Sequence, residues 1–167
     1  SELVKWKDKP RRKPLLLLGV RQCGKTYTIN VVIGRSKIES NIHTIEENYI
    51  QTIAESKTAK EIKDEMLNPN EQLKIYNLSG VEISDTNVVA TGYKIKLIMN
   101  GTEYDSKTLI IKGDLNSDGE VGVADIIKLR LHILETTQLD TNGLLAADTN
   151  SDSDVGVADI IKIRNHI

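Results

Sequence analysis

The sequence predicts a small, β-rich α+β module followed by an all-helical module built from two loop–helix repeats. Two observations carry this. The segments "DLNSDGEVGVADIIKLR" (114–130) and "DTNSDSDVGVADIIKIR" (148–164) align without gaps and differ at only four of seventeen positions, a self-similarity that marks a repeated unit. Upstream of them the texture changes to short segments of alternating hydrophobicity, which read as strands.

The upstream elements follow in order. "YIQTI" (49–53), "QLKIYNL" (72–78), "YKIKLIM" (93–99) and "KTLIIK" (107–112) have strand-like alternation. Asn100–Gly101 joins the last two and signals a two-residue hairpin. "TAKEIKDEML" (58–67) reads as a helix, with Thr58 and Glu61 as a capping box and Ala59, Ile62 and Met66 as its apolar stripe. This module spans 42–112, and its last strand runs directly into the repeats, which predicts two modules packed together. "RSKIESN" before it reads as a linker.

Composition sets the outer bounds. The chain has 167 residues, 39% hydrophobic and 28% charged, with a net charge of -2. That fits one domain or two small ones. There is no Phe and one Trp, so aromatic anchors for a core are scarce. Near-zero net charge gives no drive toward nucleic acid, and the basic run Lys5–Lys13 reads as a solvated terminus. No apolar run is long enough to span a membrane. The lone Cys23 excludes an internal disulfide and leaves the compartment open. The start on "SELVKWKD", without Met, reads as that of a fragment or processed product.

The repeats carry the chemistry. In the first, Asp114, Asn116, Asp118 and Asp125 stand at positions 1, 3, 5 and 12 of a twelve-residue loop. Glu120 is at position 7, where a main-chain carbonyl serves as ligand, and Gly119 is at position 6, where the chain turns sharply. The second loop offers Asp148, Asn150, Asp152 and Asp159, with Asp154 at position 7. A hard cation takes six to eight oxygens, and neither loop contains Cys or His, so Ca²⁺ suits them better than zinc, copper or Mg²⁺. The residue at position 12 is Asp, shorter than the Glu of an EF-hand. Position 6 of the second loop is Ser153, which predicts a strained backbone there. Crowded carboxylates repel, so folding and cation binding are expected to be coupled, and the metal staples a module too small to rely on its core.

A helix follows each loop. Their apolar residues exceed the needs of a three-helix core, which points to an apolar binding surface. Ile126, Arg130 and Ile133 fall on one side of the first helix, with Ile127, Leu131 and Leu134 close by. Val123, Ala124, Ile127, Lys128 and Leu131 are candidate surface residues, with Val157, Ala158, Ile161 and Lys162 as their mates. "TNGLLAAD" between the repeats reads as a turn and short helix.

These paired segments resemble a dockerin, the anchoring module of cellulosomal proteins involved in polysaccharide degradation. The resemblance covers 113–167 and rests on the duplication, Asn at position 3, Asp at position 12 and the Asp-Ile-Ile-Lys that follows. It implies two Ca²⁺-binding F-hand repeats and docking on a cohesin module of a scaffoldin, in an extracellular or cell-surface setting. It also implies that Val123–Ala124 and Val157–Ala158 read the cohesin, with Lys128, Arg130 and Leu131 and with Lys162, Arg164 and Asn165 as further contacts. The hydrophobic pairs lean toward the type II or another divergent class, and the near-identity of the halves implies two docking orientations. Residues 42–112 resemble the X modules that precede some dockerins and stabilise them.

One motif stands apart. "LLLLGVRQCGKTYTI" contains Gly19, Gly24, Lys25 and Thr26 in the phosphate-loop spacing, and residues 2–29 resemble the start of an AAA-type P-loop ATPase domain. A working site needs a parallel sheet and a strand ending in a metal-binding Asp, and neither follows. Residues 1–41 are therefore expected to be a remnant or extra strands. His43, His132 and His166 are scattered and no Ser–His–Asp arrangement is present. The reading is a non-catalytic interaction module, with a P-loop NTPase fragment that binds nucleotide, or a calcium sensor or buffer, as alternatives.

Overall fold

The computed structural model describes residues 37–167. The expected strand "PLLLLG" and the phosphate-loop residues Gly19, Gly24, Lys25 and Thr26 lie outside the described residues.

Five strands form one sheet in the order β1-β2-β5-β4-β3. They are β1 (Thr44–Ile45), β2 (Tyr49–Ile53), β3 (Leu73–Tyr76), β4 (Lys94–Met99) and β5 (Thr102–Ile111). β2 runs parallel to β5, and the other neighbouring pairs are antiparallel. The β4–β5 hairpin closes on Asn100 (φ 52°) and Gly101 (φ 77°), with Met99 opposite Thr102. Two successive positive φ values match the right-handed twist of the strands, and Asn-Gly reaches them at little cost. Alternation places Leu73, Ile75, Ile95 and Leu97 on the buried face, while Lys74, Lys94 and Lys96 of the same strands are less buried.

Helix α1 (Ala59–Asp64) covers that face. The Glu61 carboxylate accepts from the Thr58 N–H at 2.8 Å, one half of the capping box. Ala59, Ile62 and Met66 are buried with Ile50, Ile53, Leu73, Ile75, Ile95, Leu97 and Leu109 in one cluster. "RSKIESN" is not a free linker from Lys37 onward. Ile38 is buried in the same cluster, and its N–H donates to Asp105 Oδ2 at 2.8 Å. Asn68 clamps the stretch from both sides, accepting from Glu39 N at 3.0 Å and donating to Lys37 O at 3.0 Å. A single amide side chain satisfies a donor and an acceptor that a linker would leave to water.

The end of β5, Leu109, Ile110 and Ile111, is buried on consecutive residues, so both faces of the strand are covered there. The chain then turns through Gly113 (φ 98°) into the helical part. This part contains α2 (Val123–Ile133), α3 (Thr141–Ala147) and α4 (Val157–His166). α3 packs on β5, and α2 packs on α4. The shared core is small: Leu115, Leu129, Leu139, Ala147 and Ile163. Leu129 at the centre of α2 falls outside the group expected on one side of that helix; Ile126 and Ile133 only flank it. Apolar residues surround α2, so periodicity alone does not choose its buried face.

Candidate functional site

Each loop is knitted by its own carboxylates. Asp125 Oδ1 accepts from Leu115 N at 2.8 Å and Asn116 N at 2.9 Å, and its Oδ2 accepts from Gly122 N at 2.9 Å. One side chain thus ties the start of the loop to the start of α2. Asp159 repeats this with Thr149 N at 2.8 Å, Asn150 N at 3.2 Å and Gly156 N at 3.0 Å, and adds the Thr149 hydroxyl at 3.0 Å. Burial pushes the Asp159 carboxyl up, but these donors outweigh it and hold the group below the usual carboxylate range. The short Asp at position 12 fits a role as staple between loop and helix.

Asn116 and Asn150 form matching turns, each accepting from the residue two positions on, Asp118 N at 3.0 Å and Asp152 N at 2.9 Å. Asp118 and Asp152 do the same for Glu120 N and Asp154 N, both at 2.9 Å. The side chains of Glu120 and Asp154 are exposed, in keeping with a loop position where the pattern calls on the carbonyl and not the side chain.

Asp114 is fully buried. Burial pushes its carboxyl above the usual range; the N–H groups of Thr91 and Ser117 pull it back, and the charge of Asp125 adds to the rise. Among the described residues no three His, Cys, Asp or Glu side chains are gathered closely enough to hold a metal. Their oxygens are turned instead onto loop amides, and a twelve-residue loop also draws ligands from Asn and main-chain carbonyls. The donor set nevertheless fits a hard divalent cation: all side-chain donors are oxygens, and a buried carboxylate beside a second one is short of positive charge. Among the described residues, Asp148 alone of these carboxylates has a lysine nearby, with Lys112 Nζ at 3.8 Å.

The two helices present matching faces. Val123 is 63% exposed and Val157 62%, so the repeats are equally open. Ala124 and Ala158, Ile127 and Ile161, and Arg130 and Arg164 are exposed in pairs, while Leu131 is half-buried and its mate Asn165 exposed. Lys128 and Lys162 have a second engagement that spacing did not reveal. Each Nζ donates to the carbonyl at loop position 2, Leu115 O and Thr149 O, both at 2.6 Å. The lysines therefore brace loop to helix.

The family model described as the dockerin type I domain matches residues 112–167. The match is to the type I description, whereas the Val–Ala pairs lean toward the type II or another divergent class. Dockerin domains are non-catalytic interaction modules that dock on cohesins, and the family binds Ca²⁺. No helix of the described residues is long and apolar enough to cross a membrane. No curated protein and no solved structure matches the chain.

Proposed function

We propose that residues 112–167 bind two Ca²⁺ and present α2 and α4 to a cohesin of a scaffoldin, anchoring the protein in an extracellular or cell-surface assembly of the cellulosome type. The ligands are Asp114, Asn116, Asp118, the Glu120 carbonyl and Asp125 in the first loop. In the second they are Asp148, Asn150, Asp152, the Asp154 carbonyl and Asp159. Bound cations would neutralise carboxylates that otherwise repel one another. The residues of the chain do the rest: Asp125 and Asp159 fasten loop to helix, and Lys128 and Lys162 brace that junction. This orients Val123, Ala124, Ile127, Arg130 and Leu131, and their mates Val157, Ala158, Ile161, Arg164 and Asn165.

The observation that supports this reading is the matched exposure of Val123 and Val157. Exposed β-branched side chains at the start of both helices gain little for folding, yet supply apolar area for a partner. Calorimetric titration into a panel of cohesins, in calcium and in EDTA, tests it. Binding is expected in calcium and absent in EDTA. The double change Val123→Asp with Val157→Asp is expected to abolish binding, and each single change to weaken it less. Absence of binding to every cohesin in calcium refutes the assignment for that panel.

A further inference from the structure

The two loops are alike in sequence but unlike in their surroundings. The first is gripped by the upstream module. Thr91 N donates to the buried Asp114 Oδ2 at 2.8 Å, and the Thr91 hydroxyl is itself pinned by the N–H of Ile111 at 3.1 Å and its carbonyl at 3.2 Å. Ser56 N donates to Gly119 O at 2.8 Å. Glu55 Oε2 accepts from Val121 N at 2.5 Å, while its Oε1 meets His166 Nε2 at 2.5 Å. A side chain at position 119 would not fit this grip, since a Cβ there would lie 2.5 Å from Val89 O and 2.8 Å from Val88 Cγ1.

Among the described residues, the second loop is touched from the upstream side only at its first residue. Lys112, which follows β5, donates its Nζ to Asp148 O at 2.5 Å and lies 3.8 Å from its carboxylate, while the turn and exit of that loop have no counterpart to the contacts above. Asp114 accepts amide hydrogens from Thr91, Ser117, Asp118 and Gly119, whereas among the described residues its mate Asp148 accepts an amide hydrogen only from Asp152 N, at 3.1 Å. Val155 and Ser153, the mates of Val121 and Gly119, face no residue of the sheet module through a hydrogen bond. Ser153 also has a positive φ of 69°, which a residue other than glycine adopts at a cost.

We propose that the 37–111 module is a built-in template for the first loop alone, holding it in its folded shape before any cation arrives. Folding of the second loop is left contingent on the cation. This rests on the reading of both loops as cation sites. The template deepens that reading by making the two sites unequal: the first is preorganised, and the second is where ion binding is coupled to ordering.

Residue-resolved amide hydrogen exchange of the whole chain in EGTA tests this without any partner. Amides of Ser117, Asp118, Gly119 and Val121 are expected to exchange at least about tenfold more slowly than those of Ser151, Asp152, Ser153 and Val155. In Glu55→Ala the protection at Gly119–Val121 is expected to fall toward that of the second loop. Strand amides of Ile95 and Leu97 should stay protected and report that the module is folded. Equal exchange of the two loops in EGTA overturns the proposal, and so does a Glu55→Ala variant with unchanged protection in the first loop. Adding calcium examines the cation reading separately. If neither loop responds to calcium, that reading fails while the asymmetry measured in EGTA still stands.

Discussion

Gly119 and Ser153 occupy the same position of their loops and show how much one atom decides. Both take a left-handed backbone, with φ of 87° and 69°. For a serine that conformation costs about 1–2 kcal/mol. Glycine would relieve the strain but adds about 0.4–1 kcal/mol of unfolded-state entropy. Strain is the larger effect, so Ser153→Gly is expected to stabilise the protein by roughly 0.5–1 kcal/mol, read from urea unfolding at fixed calcium. The reverse change in the first loop meets two obstacles, the positive φ and the Val89 carbonyl 2.5 Å from the new Cβ. Gly119→Ala is therefore expected to destabilise by about 2–3 kcal/mol in the same assay. A neutral Gly119→Ala would contradict the close approach of Val89. The Ser at position 153 was legible as a strained residue from the loop pattern. The second reason for Gly119 was not, because Val89 lies far away in the chain.

At the scale of the element, the helices divide their apolar residues between a core and a face. Leu129 and Ile163 are buried between α2 and α4, while Ile127 and Ile161, two positions earlier, are exposed. Removing buried methylenes leaves a cavity as well as lost transfer energy. Leu129→Ala is expected to cost about 2–5 kcal/mol, whereas Ile127→Ala should stay within about 0.5 kcal/mol. Thermal melts in calcium compare the two directly; equal losses would mean that the wrong face is assigned to the core. The strands and α1 were more readily legible, because each carries punctuation of its own. Asn100–Gly101 marks a turn, Thr58 and Glu61 mark a helix start, and period-two alternation marks the buried face. α2 has no such arbiter, since Val123, Ile126, Ile127, Leu129, Leu131, Ile133 and Leu134 surround it.

Across the whole described unit, polar joints hold distant segments together. Ser40 Oγ donates to Glu65 O at 2.8 Å, and the Glu65 carboxylate receives His43 Nε2 at 2.8 Å on one oxygen and pairs with Lys57 through the other. Burial pushes the Glu65 carboxyl up, but Lys57 and then His43 outweigh it and hold the group below its usual range. A folded-state pKa lower than the unfolded one stabilises the fold above the unfolded value, about 4.3. That stabilisation is lost as pH falls through the folded value. The melting temperature of wild-type protein should therefore drop on acidification below about pH 4.5, and Glu65→Gln should flatten this drop. An unchanged pH profile in Glu65→Gln would show that the joint contributes nothing to acid sensitivity. The Glu55 bridge joins three regions in the same manner, meeting Val121 and His166 from the end of a strand.

The sequence by itself determined the local features: the loops and their oxygen spacing, the helices that leave them, the hairpin and the capped helix. Each depends on residues within a dozen positions of one another, so spacing encodes them directly. Tertiary structure alone decided which face of α2 and α4 is free, that Lys128 and Lys162 brace their loops, and that the upstream module reaches the turn and exit of the first loop but, among the described residues, only the first residue of the second. Those outcomes depend on contacts such as Glu55 with His166, 111 residues apart. No local pattern records such a pair, and the two nearly identical repeats differ in environment only once the sheet is folded beside one of them.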